Sequence, residues 1–141
     1  LMAYRFFEHT ADIGVDIEAT SFESLLTEGL RALTDSLTVI EKVELGLELK
    51  VDLEARSRED LLVEWLNEIV FLFDTRAVLL GQADLDVEAK SDGWCLRGTV
   101  RGERYDPNRH ELKTLIKAVT YHQLEVRSSK VGWTARVVFD I

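Results

Sequence analysis

Apolar and charged residues alternate strictly over long stretches, and this pattern restricts the fold more than any other feature. From Leu45 to Ala55 the odd positions are Leu45, Leu47, Leu49, Val51, Leu53 and Ala55, and the even positions are Gly46, Glu48, Lys50, Asp52 and Glu54. A period of two belongs to a strand with one face packed and one wet. Ala83–Lys90 repeats it, with Ala83, Leu85, Val87 and Ala89 inward. The turn Ser91-Asp92-Gly93 follows, and Trp94, Leu96, Gly98 and Val100 return as a strand. Ala118, Thr120, His122, Leu124 and Val126 share one face of a further strand. Ser128–Lys130 turns it into a last one, with Val131, Trp133, Ala135, Val137, Phe139 and Ile141 inward. Tyr4–Glu8 and Val15–Ala19 read as two short strands.

Two segments switch to helical spacing. Thr20 with Glu23 has the form of a capping box, followed by Phe22, Leu25, Leu26, Leu30, Leu33 and Leu37. Ser57 with Asp60 opens a second helix, Leu61–Phe73, apolar around most of its circumference and therefore central. The expected order is β-β-α-β-α-β-β-β-β, a largely antiparallel α+β domain. Helix followed by strands occurs twice, yet no sequence repeat stands out. Arg101–Lys117, with Asp106-Pro107-Asn108, reads as a long loop, and such loops in compact domains often carry function.

A chain of 141 residues is expected to form one domain spanning 1–141. Chains of that size bury roughly 68–70% of their unfolded surface. The 17 basic and 26 acidic side chains leave a net charge of −9. This disfavours direct nucleic-acid binding, which needs cations against phosphates, and docking on anionic lipid. Cationic, metallic or basic protein partners remain open. One cysteine, Cys95, permits no internal disulfide and fits a reducing, cytoplasmic location. The longest apolar run, Ile69–Phe73, is far short of the ~20 residues a membrane helix needs.

Four polar groups resist a purely solvated reading. Glu8-His9-Thr10-Ala11-Asp12 forms a turn in which His9 and Asp12 can point the same way, or merely bond their own backbone. Phe139-Asp140-Ile141 would place a side-chain carboxylate beside a main-chain one if Ile141 ends the chain, an arrangement that a hard divalent cation would relieve. Lys117 is either a solvated lysine or a point charge for carboxylates or phosphates. Cys95 lies in a strand, without the loop or helix-terminal setting of an activated thiol, which disfavours Cys–His catalysis with His9, His110 or His122, and His122 reads as a core residue. No nucleophile elbow, P-loop, dinucleotide fingerprint or paired CxxC occurs.

Four motifs in order resemble the archease family: His9–Gly14, Leu61–Glu68, Ile116–His122 and Val137–Ile141. The resemblance implies a small cytosolic α+β protein without catalysis of its own. It implies an activator of the RtcB-type tRNA-splicing RNA ligase that promotes ligase guanylylation with GTP and multiple turnover. The alternative role it implies is chaperone or specificity modulator of a tRNA cytosine methyltransferase or other tRNA-modifying enzyme. By motif it makes Asp12, Asp140 and Ile141 metal ligands, and places Lys117 and His9 at the functional tip. The implied metal is divalent, Ca²⁺ in the family, with Mg²⁺ or Mn²⁺ as alternatives. His110 and Glu111 lie in the loop that does not align residue by residue and stand as further candidates.

Overall fold

The computed structural model describes residues 2–9 and 11–141, and the side chains of all of these except Glu8 and His9. Seven strands and two helices follow one another as β1 (Ala3–His9), β2 (Asp12–Ala19), α1 (Phe22–Leu37), β3 (Leu47–Ala55), α2 (Arg58–Arg76), β4 (Val78–Lys90), β5 (Gly93–Arg104), β6 (Ala118–Ser129) and β7 (Gly132–Asp140). A short 3₁₀ turn, Ile40–Lys42, precedes β3. The order is the one the alternation predicts. The strands form two antiparallel sheets, β1-β2-β7-β6 and β3-β5-β4. Both helices touch strands of both sheets, and the core lies around them. The apolar face of α1 and a little over half the girth of α2 are buried there, while Glu64 and Phe71 of α2 face solvent.

The chain repeats itself, contrary to the expectation from sequence. Ten of the sixteen residues from Val15 to Leu30 are identical to those from Val51 to Leu66, 36 positions on. Both segments run from strand through a Ser cap into helix. Ser21 and Ser57 accept the Ser24 and Asp60 amides, each at 3.0 Å. The first cap is therefore Ser21 and not Thr20, because Ser21 is the extended residue one step before the helix. Each half is completed by a hairpin whose returning strand begins Gly-Trp and carries Arg three residues after the Trp: Gly93-Trp94 with Arg97, and Gly132-Trp133 with Arg136. Trp94 pairs with Ala55 and Trp133 with Ala19. Both glycines have positive φ, +156° and +143°, and a Cβ on either would lie 2.3 or 2.4 Å from the opposing alanine carbonyl. Arg58 lies between the two tryptophan rings, 4.0 and 5.0 Å from their centroids, and joins the halves. The interleaved order of elements hides the repeat, since the halves are not consecutive blocks.

Other departures have local causes. β4 starts at Val78, five residues before Ala83, because Val78–Gly81 is buried on both faces and so shows no alternation. β5 continues through Arg104, so the long connection begins at Tyr105. β6 slips by three residues against β7 between Thr120 and Glu125, with Gln123 in the left-handed region at φ +55°. An odd slip exchanges the faces. Val119 is therefore buried, while His122, expected in the core, is exposed. Lys117 lies just before β6, and its side chain is exposed. Val131 sits in the turn, 75% exposed, and Ile141 is 37% exposed beyond the end of β7, so neither points inward. Leu45 also lies outside its strand. Cys95 is buried between Glu54 and Glu88 of the neighbouring strands.

Candidate functional site

Asp12 opens β2 and Asp140 closes β7, and the two are direct cross-strand partners. On the far side of β2, Asp12 pairs with His9. On the far side of β7, Asp140 pairs with Ala118. One row thus crosses the end of the four-stranded sheet, His9, Asp12, Asp140, Ala118. Directly opposed residues of an antiparallel pair share a face, with Cβ atoms ~4.5–5.5 Å apart, and like charges there oppose folding. The Lys117 amide donates to the Asp140 carbonyl at 2.8 Å, which fixes the lysine backbone beside this row. Ile141 follows Asp140 directly. Ala11, next to Asp12, is held at φ +60°, a conformation that non-glycine residues avoid and that clusters at functional sites. Thr10 and the His9 side chain lie outside the described residues.

The internal repeat supplies a comparison within the same molecule. Asp16 opposes Arg136 in one half, and Asp52 opposes Arg97 in the other. Both are ion pairs, bidentate at 2.7 and 2.9 Å in the first and 3.6 Å in the second. The Arg136 hydrogen bonds hold the Asp16 carboxyl below its usual range. Four residues earlier, at the end of the sheet, the halves part. Glu48 opposes Arg101, which binds it at 3.0 Å and reaches Asp84 at 3.6 Å. The counterpart of Glu48 is Asp12, and the counterpart of Arg101 is Asp140. Where one half sets a guanidinium against a carboxylate, the other sets a second carboxylate.

At the Asp12 side of this row lies a groove of about 450 Å³, lined among others by Phe6, Phe7, Asp12, Ile13, Asp35 and Lys113. Gly14 makes room for Phe7, whose ring occupies the space a Cβ would fill, and the Arg136 guanidinium covers that ring at 4.4 Å. Asp35 accepts from the Tyr4 hydroxyl at 2.9 Å and pairs with Lys113 at 3.5 Å. Burial and that Asp35 bond raise the Tyr4 phenol well above its ordinary range. Asn67 of α2 reads both backbone groups of Val119: its Oδ1 accepts the amide at 2.8 Å and its Nδ2 donates to the carbonyl at 3.1 Å. This clamp sets the start of β6 and, through it, Lys117. Asn67 lies within an amphipathic helix, so periodicity gives no sign of its role.

His110 and Glu111 do not join the row. The His110 side chain is fully enclosed. Its Nδ1 accepts the Asp106 amide at 2.8 Å, so Nε2 carries the proton donated to Glu103 at 2.9 Å. Arg109 also binds Glu103. Burial pushes the Glu103 carboxyl up, but the Glu44 amide, Arg109 and His110 outweigh it and hold the pKa at about 2. This network anchors the connection between β5 and β6. Glu111 is exposed and contributes its carbonyl to the Thr38 hydroxyl at 2.6 Å.

The donors at the row suit a hard divalent cation. Carboxylate and main-chain oxygens are what such ions prefer, and Ca²⁺ takes 6–8 of them. Asp12 and Asp140 supply the charge. Among the described residues no three His, Cys, Asp or Glu side chains cluster as a ready metal cage. A cation here would complete its shell with main-chain oxygen, water or groups from a partner.

The fold and this row define a class: a small two-sheet α+β domain, built on an internal repeat, with an acidic pair where its other half has an ion pair. The sequence matches the archease protein family over residues 4–141. It is 37% identical to protein archease of Methanopyrus kandleri over 99% of this chain and 100% of that one. It is 33% identical to that of Pyrococcus furiosus, with 98% of each covered. The solution structure of Methanobacterium thermoautotrophicum protein 1598 superposes with a TM-score of 0.84 at 30% identity, covering 98% of both chains. The chain belongs to the archease family. No helix among the described residues is long and apolar enough to cross a membrane.

Proposed function

We propose that this protein is a non-catalytic activator of an RtcB-type RNA ligase in tRNA splicing. It promotes guanylylation of the ligase with GTP, and so multiple turnover, through the tip formed by Asp12, Asp140, Ile141 and Lys117. The observation that supports this most is the exchange of an arginine for Asp140 between the two halves. A repeat that keeps its ion pair at Asp16–Arg136 and Asp52–Arg97, yet sets a carboxylate opposite a carboxylate at the sheet end, gathers there the hard oxygen donors that a divalent cation prefers. Asp12 and Asp140 hold that cation, with the Ile141 main chain adjoining. A bound divalent cation supplies charge neutralisation for nucleotide phosphates during nucleotidyl transfer. Lys117, its backbone tied to Asp140 and its side chain exposed, offers a positive charge suited to a phosphate or an acidic group of the ligase. The net charge of −9 disfavours direct RNA binding and supports a protein partner.

The test is guanylylation of a cognate ligase given GTP and Mn²⁺, with wild-type protein, Asp12→Ala or Asp140→Ala. Stimulation by the wild type and none by the folded variants is expected, and calorimetric titration of the protein with Ca²⁺ should show binding lost in both. Stimulation by all three would keep the activator role and discard the tip. No stimulation of an active ligase would favour the tRNA-methyltransferase role.

A further inference from the structure

One element breaks the correspondence between the halves. β2, β7 and β6 have counterparts in β3, β5 and β4, but β1 has none. β1 covers the edge of β2, whereas among the described residues β3 pairs with β5 alone. Burial records the difference. Val15 and Ile17 of β2 are 0% exposed. Their counterpart Val51 is 7% exposed, and Leu53, Leu47 and Leu49 are half-buried, with Leu45 45% exposed just before them. β3 keeps register with β5 over all nine residues, without proline or bulge, while the register of β4 and β6 is broken. A long, regular edge beside a half-open apolar strip is a template for strand addition.

We infer that the β3 edge receives an extended segment of a partner protein, running antiparallel, with apolar residues alternating with basic ones. β1 offers the precedent over Tyr4-Arg5-Phe6. It sets Tyr4 and Phe6 against Ile17 and Val15, and Arg5 against Asp16, an aspartate that already holds Arg136. Asp52 is the counterpart of Asp16. It holds Arg97 on one side and is open on the other, its side chain 67% exposed. The solvent-facing residues of β3 are Glu48, Asp52 and Glu54 against one cation, Lys50. Charge complementarity therefore selects a basic strand. A second copy brings another net charge of −9; two β3 strands paired about Val51 set Glu48 against Glu54 twice as well as Lys50 against Asp52 twice, so the overall charge is what disfavours it.

The experiment titrates the isotope-labelled full chain with an eight-residue peptide alternating valine and arginine, and with its glutamate twin. Amide shifts and slowed hydrogen exchange along residues 47–55 are expected with the basic peptide alone. Leu49→Lys should abolish them, and Lys50→Glu, a solvent-facing change that leaves the apolar strip intact, should strengthen them. The inference is overturned by equal response to both peptides, by perturbation at the Asp12–Asp140 end with β3 exchange unchanged, or by no response at millimolar peptide. Concentration-dependent protection of β3 without peptide, with sedimentation as a dimer, would make a second copy the occupant and overturn it equally.

Discussion

Asp12 stands directly across β2–β7 from Asp140, in the same position in which Glu48 stands across β3–β5 from Arg101. The chain thus contains its own reference state for the tip. Asp140→Arg should restore the pair found in the other half. The variant is expected to fold with a stability equal to the wild type or greater by up to about 1 kcal/mol, the scale of an exposed ion pair. It should also lose Ca²⁺ binding and ligase stimulation. Thermal denaturation alongside the guanylylation assay checks both parts, and a stimulating Asp140→Arg protein would contradict the cation reading.

The two hairpin glycines should behave alike. Gly93→Ala and Gly132→Ala each force a side chain into positive φ and against the Ala55 or Ala19 carbonyl. Each should cost roughly 1–3 kcal/mol, the range for strained backbone conformations. Denaturant unfolding of the two variants measures it. A loss at one site only would break the equivalence.

Acid should destabilise the protein through Glu103. Its pKa is lowered from 4.5 to about 2 in the folded state. A depressed carboxyl stabilises the fold above its unfolded pKa, and that contribution fades as pH falls from 4.5 through about 2. Glu103→Gln should therefore be less stable at neutral pH and should show a shallower decline over this window. Melting curves of both proteins between neutral pH and pH 2 read the difference.

Asn67→Leu tests the clamp on Val119. Removing both hydrogen bonds strands a part-buried amide and carbonyl, each worth about 1–3 kcal/mol when unsatisfied. Hydrogen exchange should accelerate at residues 117–119, and ligase stimulation should fall although Asn67 is no part of the tip. Unchanged exchange at those amides would show that the tip is positioned by the β7 pairing alone.

Much of the architecture was legible because one-sided burial writes itself into the chain. β3, β5, β7 and the Ser57 cap follow from alternation and local hydrogen bonding. Where both faces are buried, as at Val78–Gly81, the period disappears. Where the register slips, as in β6, the period continues in the sequence while the faces exchange, so His122 is exposed although its spacing matches the core face. Asp12, Asp140 and Lys117 could be singled out as residues. Their meeting could not, since it depends on β2 and β7 being neighbours across more than a hundred intervening residues. Asn67 and the Glu103–His110 network gave no local sign, because a hydrogen bond to a distant backbone imposes no periodicity.

The sequence by itself determined the elements, their order, the acidic character and the family, because propensity, alternation, charge and motif are local properties of the chain. The tertiary structure decided which strands lie side by side. That pairing turned two separate aspartates into one row, revealed that its counterpart is an ion pair, and left β3 without the strand that covers β2. Pairing is set by the burial of whole faces against shared helices, a long-range balance that no window of residues contains.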